Sequence, residues 1–314
     1  MQRLRGLTGV RRATTRHDST WHATTRHDST RHAMTRHDST RRGRTHYVAV
    51  ATVLGLAMTV TAGCGSGTTT SLTAPYGHSG KPPAYFRTLP PGTTLPSSAQ
   101  CARWVRARPI PENKGMNTPY NQTKGQHVGS GFFASDEPQA DQLIAPRING
   151  NFTGTTAQIL RWAACKWGIS QDIVFAQAAV ESWWRQTTLG DWQASGCAPG
   201  HGPGADGKPG LCPQSWGILQ TRYPFYPAGW PAIATSTAMN ADTAYAVWRS
   251  CYEGYETWLN TVPHGGTYQA GNAWGCVERW KAGRWLTPEA QQYIARVKHY
   301  VRIRVWTQPY FQQP

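Results

Sequence analysis

The residue best placed to do chemistry is Glu181. It stands in Ala178-Ala179-Val180-Glu181-Ser182-Trp183-Trp184, a carboxyl group among apolar and aromatic side chains. Desolvation disfavours the charged form of a carboxyl and raises its pKa. A carboxylic acid that keeps its proton near neutral pH is suited to general acid–base catalysis. Asp191, in Leu189-Gly190-Asp191-Trp192, and Asp206 are the acids close downstream. A second carboxylate of this kind can act as a general base or as a nucleophile, whereas a Gly-Asp pair equally marks a turn. Gln220 and Asn272 carry amides that can read hydroxyl or acylamino groups, or cap loop backbone. The sequence contains no P-loop, HExxH, GxSxG or Cys-His zinc spacing, so neither a cofactor nor a metal is expected.

Three helices would position these groups. Thr155 or Thr156 can cap a helix from Ala157 to Trp167, with Ile159, Leu160, Trp162 and Ala163 on its apolar face and Gly168 at its end. Ser170 can cap a second helix from Gln171 to about Arg185, in which Ile173, Val174, Gln177, Val180 and Trp184 recur at three- and four-residue spacing. Glu181 falls near the end of that helix, on the side of Ile173, Val174 and Gln177. Thr287 and Pro288 suit the start of a C-terminal helix carrying Tyr293, Ile294, Val297, Tyr300, Val301 and Val305 at helical spacing. Its Arg296, Lys298, Arg302 and Arg304 form a basic face, either simply solvated or drawn to an anionic wall or membrane.

The N-terminal third has a different composition. TRHDST recurs at 15–20, 25–30 and 35–40 with a period of ten. Residues 1–46 hold too few apolar groups to offset the entropy of ordering, so disorder is expected, with Met34 as a candidate true start. An uncharged apolar stretch follows and ends in Val60-Thr61-Ala62-Gly63-Cys64. Residues 47–64 read as a secretion signal. They resemble a bacterial lipobox with Thr61 where leucine is usual, so Cys64 is expected to carry lipid and to anchor the chain outside the cytoplasm. Residues 65–100, rich in Gly, Ser, Thr and Pro, read as a flexible tether. Residues 101–150 read as an irregular segment packing on a domain at 151–310. Fourteen of the fifteen tryptophans lie from Trp104 onward, which places the packed core there. Basic residues outnumber acidic ones 11 to 3 over 1–46 and 21 to 13 over 47–314, so each part supplies half of the formal charge of +16. Such a balance suits any polyanion, but no zinc knuckle, helix-turn-helix or RRM-like signature points to nucleic acid. A monomer is expected.

Beyond Cys64 the cysteines are Cys101, Cys165, Cys197, Cys212, Cys251 and Cys276, an even number without a CxxC. In an exported chain this reads as three disulfides, for which fifteen connectivities exist. Cys197 and Cys212 flank a Gly/Pro-rich loop, and a bridge closing a loop of that size is worth about 3 kcal/mol in the chain-entropy model. Cys197–Cys212 is therefore the first pairing expected, with Cys251–Cys276 and Cys101–Cys165 completing the set.

Four stretches in order carry a family resemblance. Ala178 to Trp184 resembles the Glu-Ser motif of soluble lytic transglycosylases, relatives of goose-type lysozyme. Ser215-Trp216-Gly217-Ile218-Leu219-Gln220 resembles their Gly-Leu-Met-Gln motif, Asn272-Ala273-Trp274-Gly275-Cys276-Val277 their Asn-Ala-Gly stretch, and Tyr293-Ile294-Ala295-Arg296-Val297 their closing helix. The resemblance covers roughly 155–306. It implies a mainly α, lysozyme-like domain, which the six cysteines would staple and the disordered N-terminal region would precede. It also implies cleavage of the β-1,4 bond between N-acetylmuramic acid and N-acetylglucosamine in peptidoglycan strands. Glu181 would serve as acid and then base, giving 1,6-anhydro ends. Ser182 would steady Glu181 or approach the substrate. Trp216, Gln220, Asn272 and Tyr293 would line the sugar site, and one or two of Trp183, Trp184, Trp216 and Trp274 would stack on sugar. The family's Ala-Tyr-Asn is here Ala270-Gly271-Asn272, so its active-site tyrosine is absent unless Tyr268 substitutes, and the Pro-x-Thr after the glutamine is replaced by Thr221-Arg222-Tyr223. A hydrolytic muramidase using a second carboxylate, and a wall-binding lipoprotein without turnover, are the alternatives.

Overall fold

The computed structural model describes residues 86–312. The repeats at 1–46, the signal at 47–64 with Cys64, and the tether up to residue 85 lie outside the described residues. The described chain is mainly helical with one small sheet. In order come α1 (Ser98–Arg106), α2 (Thr118–Asn121), α3 (Pro138–Leu143), α4 (Thr156–Trp167) and α5 (Gln171–Ser182). The strands β1 (Leu189–Gln193), β2 (Cys212–Trp216) and β3 (Thr221–Arg222) follow. Then come α6 (Ala232–Thr235), α7 (Thr237–Glu253), α8 (Ala273–Ala282) and α9 (Pro288–Ile303). Among the described residues no helix is long and apolar enough to cross a membrane.

Thr155 is the residue that caps α4. Its hydroxyl accepts from the Gln158 amide while the Gln158 side chain returns to the Thr155 N–H, a reciprocal pair that satisfies two orphan donors. Gly168, in the left-handed region at φ 59°, ends the helix. All of α4 except Gln158 is buried. It packs on α7, in which every residue from Thr237 to Tyr252 is buried. Periodicity does not reveal α7, because a helix enclosed on all sides has no apolar stripe to distinguish from a polar one. Its Asp242 is a fully buried carboxylate held by four neighbours. Lys166 Nζ lies at 2.6 Å, Trp167 Nε1 at 2.8 Å, and the backbone N–H groups of Asn149 and Gly150 at 2.9 and 2.8 Å. A charge removed from water needs such partners to be tolerated.

The three expected disulfides are present. Cys101–Cys165 ties α1 to α4, Cys251–Cys276 ties α7 to α8, and Cys197–Cys212 closes the loop between β1 and β2. The sheet is antiparallel in the order β1-β2-β3, with Gly190 opposite Ser215 and Ser215 opposite Arg222.

Two boundaries differ from the sequence reading. The tether does not run to residue 100: Phe86 is buried, Leu89 donates to Gly168 O, and the buried Arg249 guanidinium donates to the carbonyls of Leu89 and Pro90. Proline-rich backbone with free carbonyls can saturate an arginine as readily as it can stay solvated. The segment 101–150 holds α1 and the short α2 and α3, and Asp141 gathers the N–H groups of Gly131, Phe132 and Phe133. The second difference is α5, which stops at Ser182 rather than near Arg185, and whose Ser170 makes no side-chain cap.

Candidate active site

Glu181 occupies the last turn of α5. The helix ends there because Trp183 and Trp184 both take left-handed backbone conformations, at φ 58° and 62°. This turn buries Trp184 completely, its indole N–H donating to Phe175 O at 2.9 Å. Glu181 itself is partly buried and faces α9, where the Tyr293 hydroxyl donates to its Oε1 in a short hydrogen bond. Gln177, one turn earlier on α5, also hydrogen-bonds that hydroxyl. Burial pushes the Glu181 carboxyl up from 4.5 to about 7. The Tyr293 bond and the Lys281 charge pull it down, Asp191 pushes it further up, and Arg296 pulls it down. Desolvation wins, so the group is poised to give and take a proton near neutrality.

The Gly217–Gln220 segment, tied to the end of α5 through Ser182, is fixed by buried amides. Gly217 sits at φ 77°, and a Cβ there would lie 2.5 Å from Asn240 Nδ2 and 2.6 Å from Gln186 Nε2. Gln186 Oε1 accepts from Ile218 N at 3.0 Å, and its Nε2 donates to the carbonyls of Ile233 and Ala234. Asn240 Oδ1 accepts from Leu219 N at 2.9 Å while its Nδ2 donates to Trp216 O at 2.7 Å. Ser182 joins this segment to α5, its hydroxyl donating to Ile218 O at 2.8 Å and accepting from Arg185 N at 3.1 Å. It steadies the helix end that carries Glu181. The fully buried Asn117 donates to Trp184 O at 2.6 Å and accepts from Gln186 N at 2.8 Å. Asn117, Gln186 and Asn240 were not marked by the sequence, because a lone amide carries no motif until the fold shows what it clamps.

The remaining expected residues have the following places. Tyr293 meets Glu181 directly. Gln220, at φ 53°, donates its amide to Thr188 O and Gly217 O, and Asn272 Oδ1 caps α8 by accepting from Gly275 N. Both amides hold backbone, the plainer of the two roles read from the sequence. Trp216 is buried, with His201 and Trp230 edge-on to its ring at 4.5 and 5.1 Å. Asp191 is about half exposed on β1 at φ 49°, accepts a short hydrogen bond from Ser215 Oγ, and lies 3.7 Å from Arg222 Nε. Tyr268 does not replace the missing tyrosine at Glu181. Its hydroxyl donates to Cys251 O at 2.5 Å and accepts from Glu256 N at 3.3 Å. The phenol on Glu181 is that of Tyr293, supplied from α9.

Tyr293→Phe removes a donor that favours the ionised carboxylate, so the Glu181 pKa rises further. If Glu181 is the acid, the alkaline limb of the pH–rate profile moves to higher pH than in the parent. A peptidoglycan-turbidity assay across pH 5 to 9 (roughly the range a carboxyl of this kind spans) reads that shift directly.

Comparison with protein-family models, characterised proteins and solved structures finds no match to this chain.

Proposed function

We propose that the protein is a peptidoglycan lytic transglycosylase with a lysozyme-like domain, working as a monomer outside the cytoplasm and anchored to the outer face of the membrane by lipid on Cys64. The observation that carries the reading is the Glu181 carboxyl, raised to about 7 and hydrogen-bonded by Tyr293. In the neutral state it protonates the glycosidic oxygen between N-acetylmuramic acid and N-acetylglucosamine, and the bond to C1 breaks. The resulting carboxylate takes the proton of the muramoyl C6 hydroxyl as that oxygen bonds to C1. The products are a 1,6-anhydro end and a free 4-hydroxyl, with no water consumed and Glu181 reprotonated. Tyr293 remains a donor to Glu181 in both protonation states and so stabilises the carboxylate as it forms.

Digestion of purified peptidoglycan followed by mass analysis tests this. Soluble fragments with anhydro-muramyl ends are expected from the parent and none from Glu181→Gln. Reducing ends in their place would sink the lyase chemistry. That second outcome would favour a hydrolytic muramidase, a reading supported by Asp191, whose charge acts on Glu181 and which can orient water. No fragments at all would leave a wall-binding lipoprotein.

A further inference from the structure

We propose that Trp183 and Tyr310 form a stacking subsite for a pyranose ring of the glycan strand, at the end of α5 that carries Glu181 and built in part by the segment after α9. The inference rests on the glycan-cleaving reading of Glu181; Trp183 lies within the stretch of family resemblance, and what is added is Tyr310, beyond residue 306, as the second ring.

The two tryptophans after Ser182 behave differently. Trp184 is fully buried and its role is packing. Trp183 stays partly exposed in a left-handed conformation that large side chains rarely adopt and glycine adopts freely. After α9 the chain turns at Arg304 (φ 45°), and two short turns, Val305–Thr307 and Pro309–Phe311, return it to the end of α5. Phe311 is fully buried, its ring 4.6 Å from that of Trp183 and 5.1 Å from that of Trp184. Lys114 locks it there, with Nζ 2.5 Å from Phe311 O and 4.7 Å from the ring centre. Tyr310, the residue before this anchor, is 52% exposed, and its ring lies within 23° of parallel to Trp183 at 6.3 Å. Tyr300 supports Trp183 edge-on at 6.0 Å.

The result is an exposed Tyr310 ring nearly parallel to a partly exposed Trp183 that Phe311 and Tyr300 hold in place. Such faces suit the apolar C–H face of a sugar whose hydroxyls stay in water, and their rigidity lowers the entropy lost on binding. Tyr293 and Tyr300 are seven residues apart on one helix, about 10 Å along its axis. Tyr293 meets Glu181 and Tyr300 meets Trp183, so the proposed platform takes a ring of the strand other than the one at Glu181 and is expected to matter for long glycan more than for short.

The test uses the full chain carrying Glu181→Gln, with N-acetylglucosamine dimer and hexamer as probes, read by calorimetry and indole fluorescence. Adding Tyr310→Ala should weaken the hexamer about five- to tenfold and leave the dimer unchanged. Tyr310→Phe, which keeps the ring, should bind the hexamer like the parent. Equal affinity of Tyr310→Ala and parent for the hexamer, an equal loss for both probes, or no hexamer binding by the parent would each overturn the subsite. Digestion of peptidoglycan is scored separately. A length-dependent loss without cleavage keeps the platform and removes the lyase, and cleavage without that loss does the reverse.

Discussion

Glu181→Gln is expected to lower turnover of peptidoglycan by about 10³-fold or more, with strand binding nearly intact. The amide keeps the size of the side chain and its contact with Tyr293 but has no proton to give at neutral pH. The same substitution should alter stability in a way that does not depend on activity. The folded-state value of about 7 lies above the ordinary 4.5. Stability associated with the neutral carboxyl is thus complete below about pH 4.5 and is lost as pH rises through about 7. Glutamine does not titrate. The variant should therefore melt at a higher temperature than the parent at pH 8, and the difference should shrink toward pH 5, as scanning calorimetry in matched buffers would record. A difference that stayed flat with pH would mean that burial does not govern this carboxyl.

Gly217→Ala is the second large effect, and it acts on the fold of the site. The new methyl group meets Asn240 and Gln186 at 2.5–2.7 Å, and both amides are committed to the backbone of Ile218, Leu219, Trp216 and Ile233. Either the methyl or those hydrogen bonds must give way, and a left-handed φ adds its own penalty. A loss of about 3 kcal/mol in urea unfolding is expected, together with loss of turnover. Gly283→Ala supplies the control. That glycine is also left-handed, at φ 59°, but open space surrounds its Cβ position, so only about 1 kcal/mol should be lost.

Legibility in the sequence followed how local each signal is. Helix α4 could be read because Thr155 and Gly168 bracket it, and α9 because one face meets water and the other meets α5. The early end of α5 could not be read. Two consecutive tryptophans at positive φ contradict local preference, and tertiary packing of Trp184 and Phe311 holds them there. The sheet was hidden by its short strands and by the long stapled loop between β1 and β2. Within the site, Glu181 and Tyr293 were visible as members of motifs. Asn117, Gln186 and Asn240 were not, since their value lies in carbonyls and N–H groups contributed from distant parts of the chain. Gln220 and Asn272 show the converse: an amide at a motif position holds its own loop as naturally as it reads a ligand.

The proposed activity requires that the Glu181 carboxyl remain protonated near neutral pH. Its most direct test is a carbon-13 NMR titration of the side-chain carboxyl of Glu181, assigned through the Glu181→Gln spectrum. A midpoint near the expected value of about 7 supports the account. A midpoint in the ordinary range near 4.5 would leave a carboxylate with no proton to donate, and would contradict it.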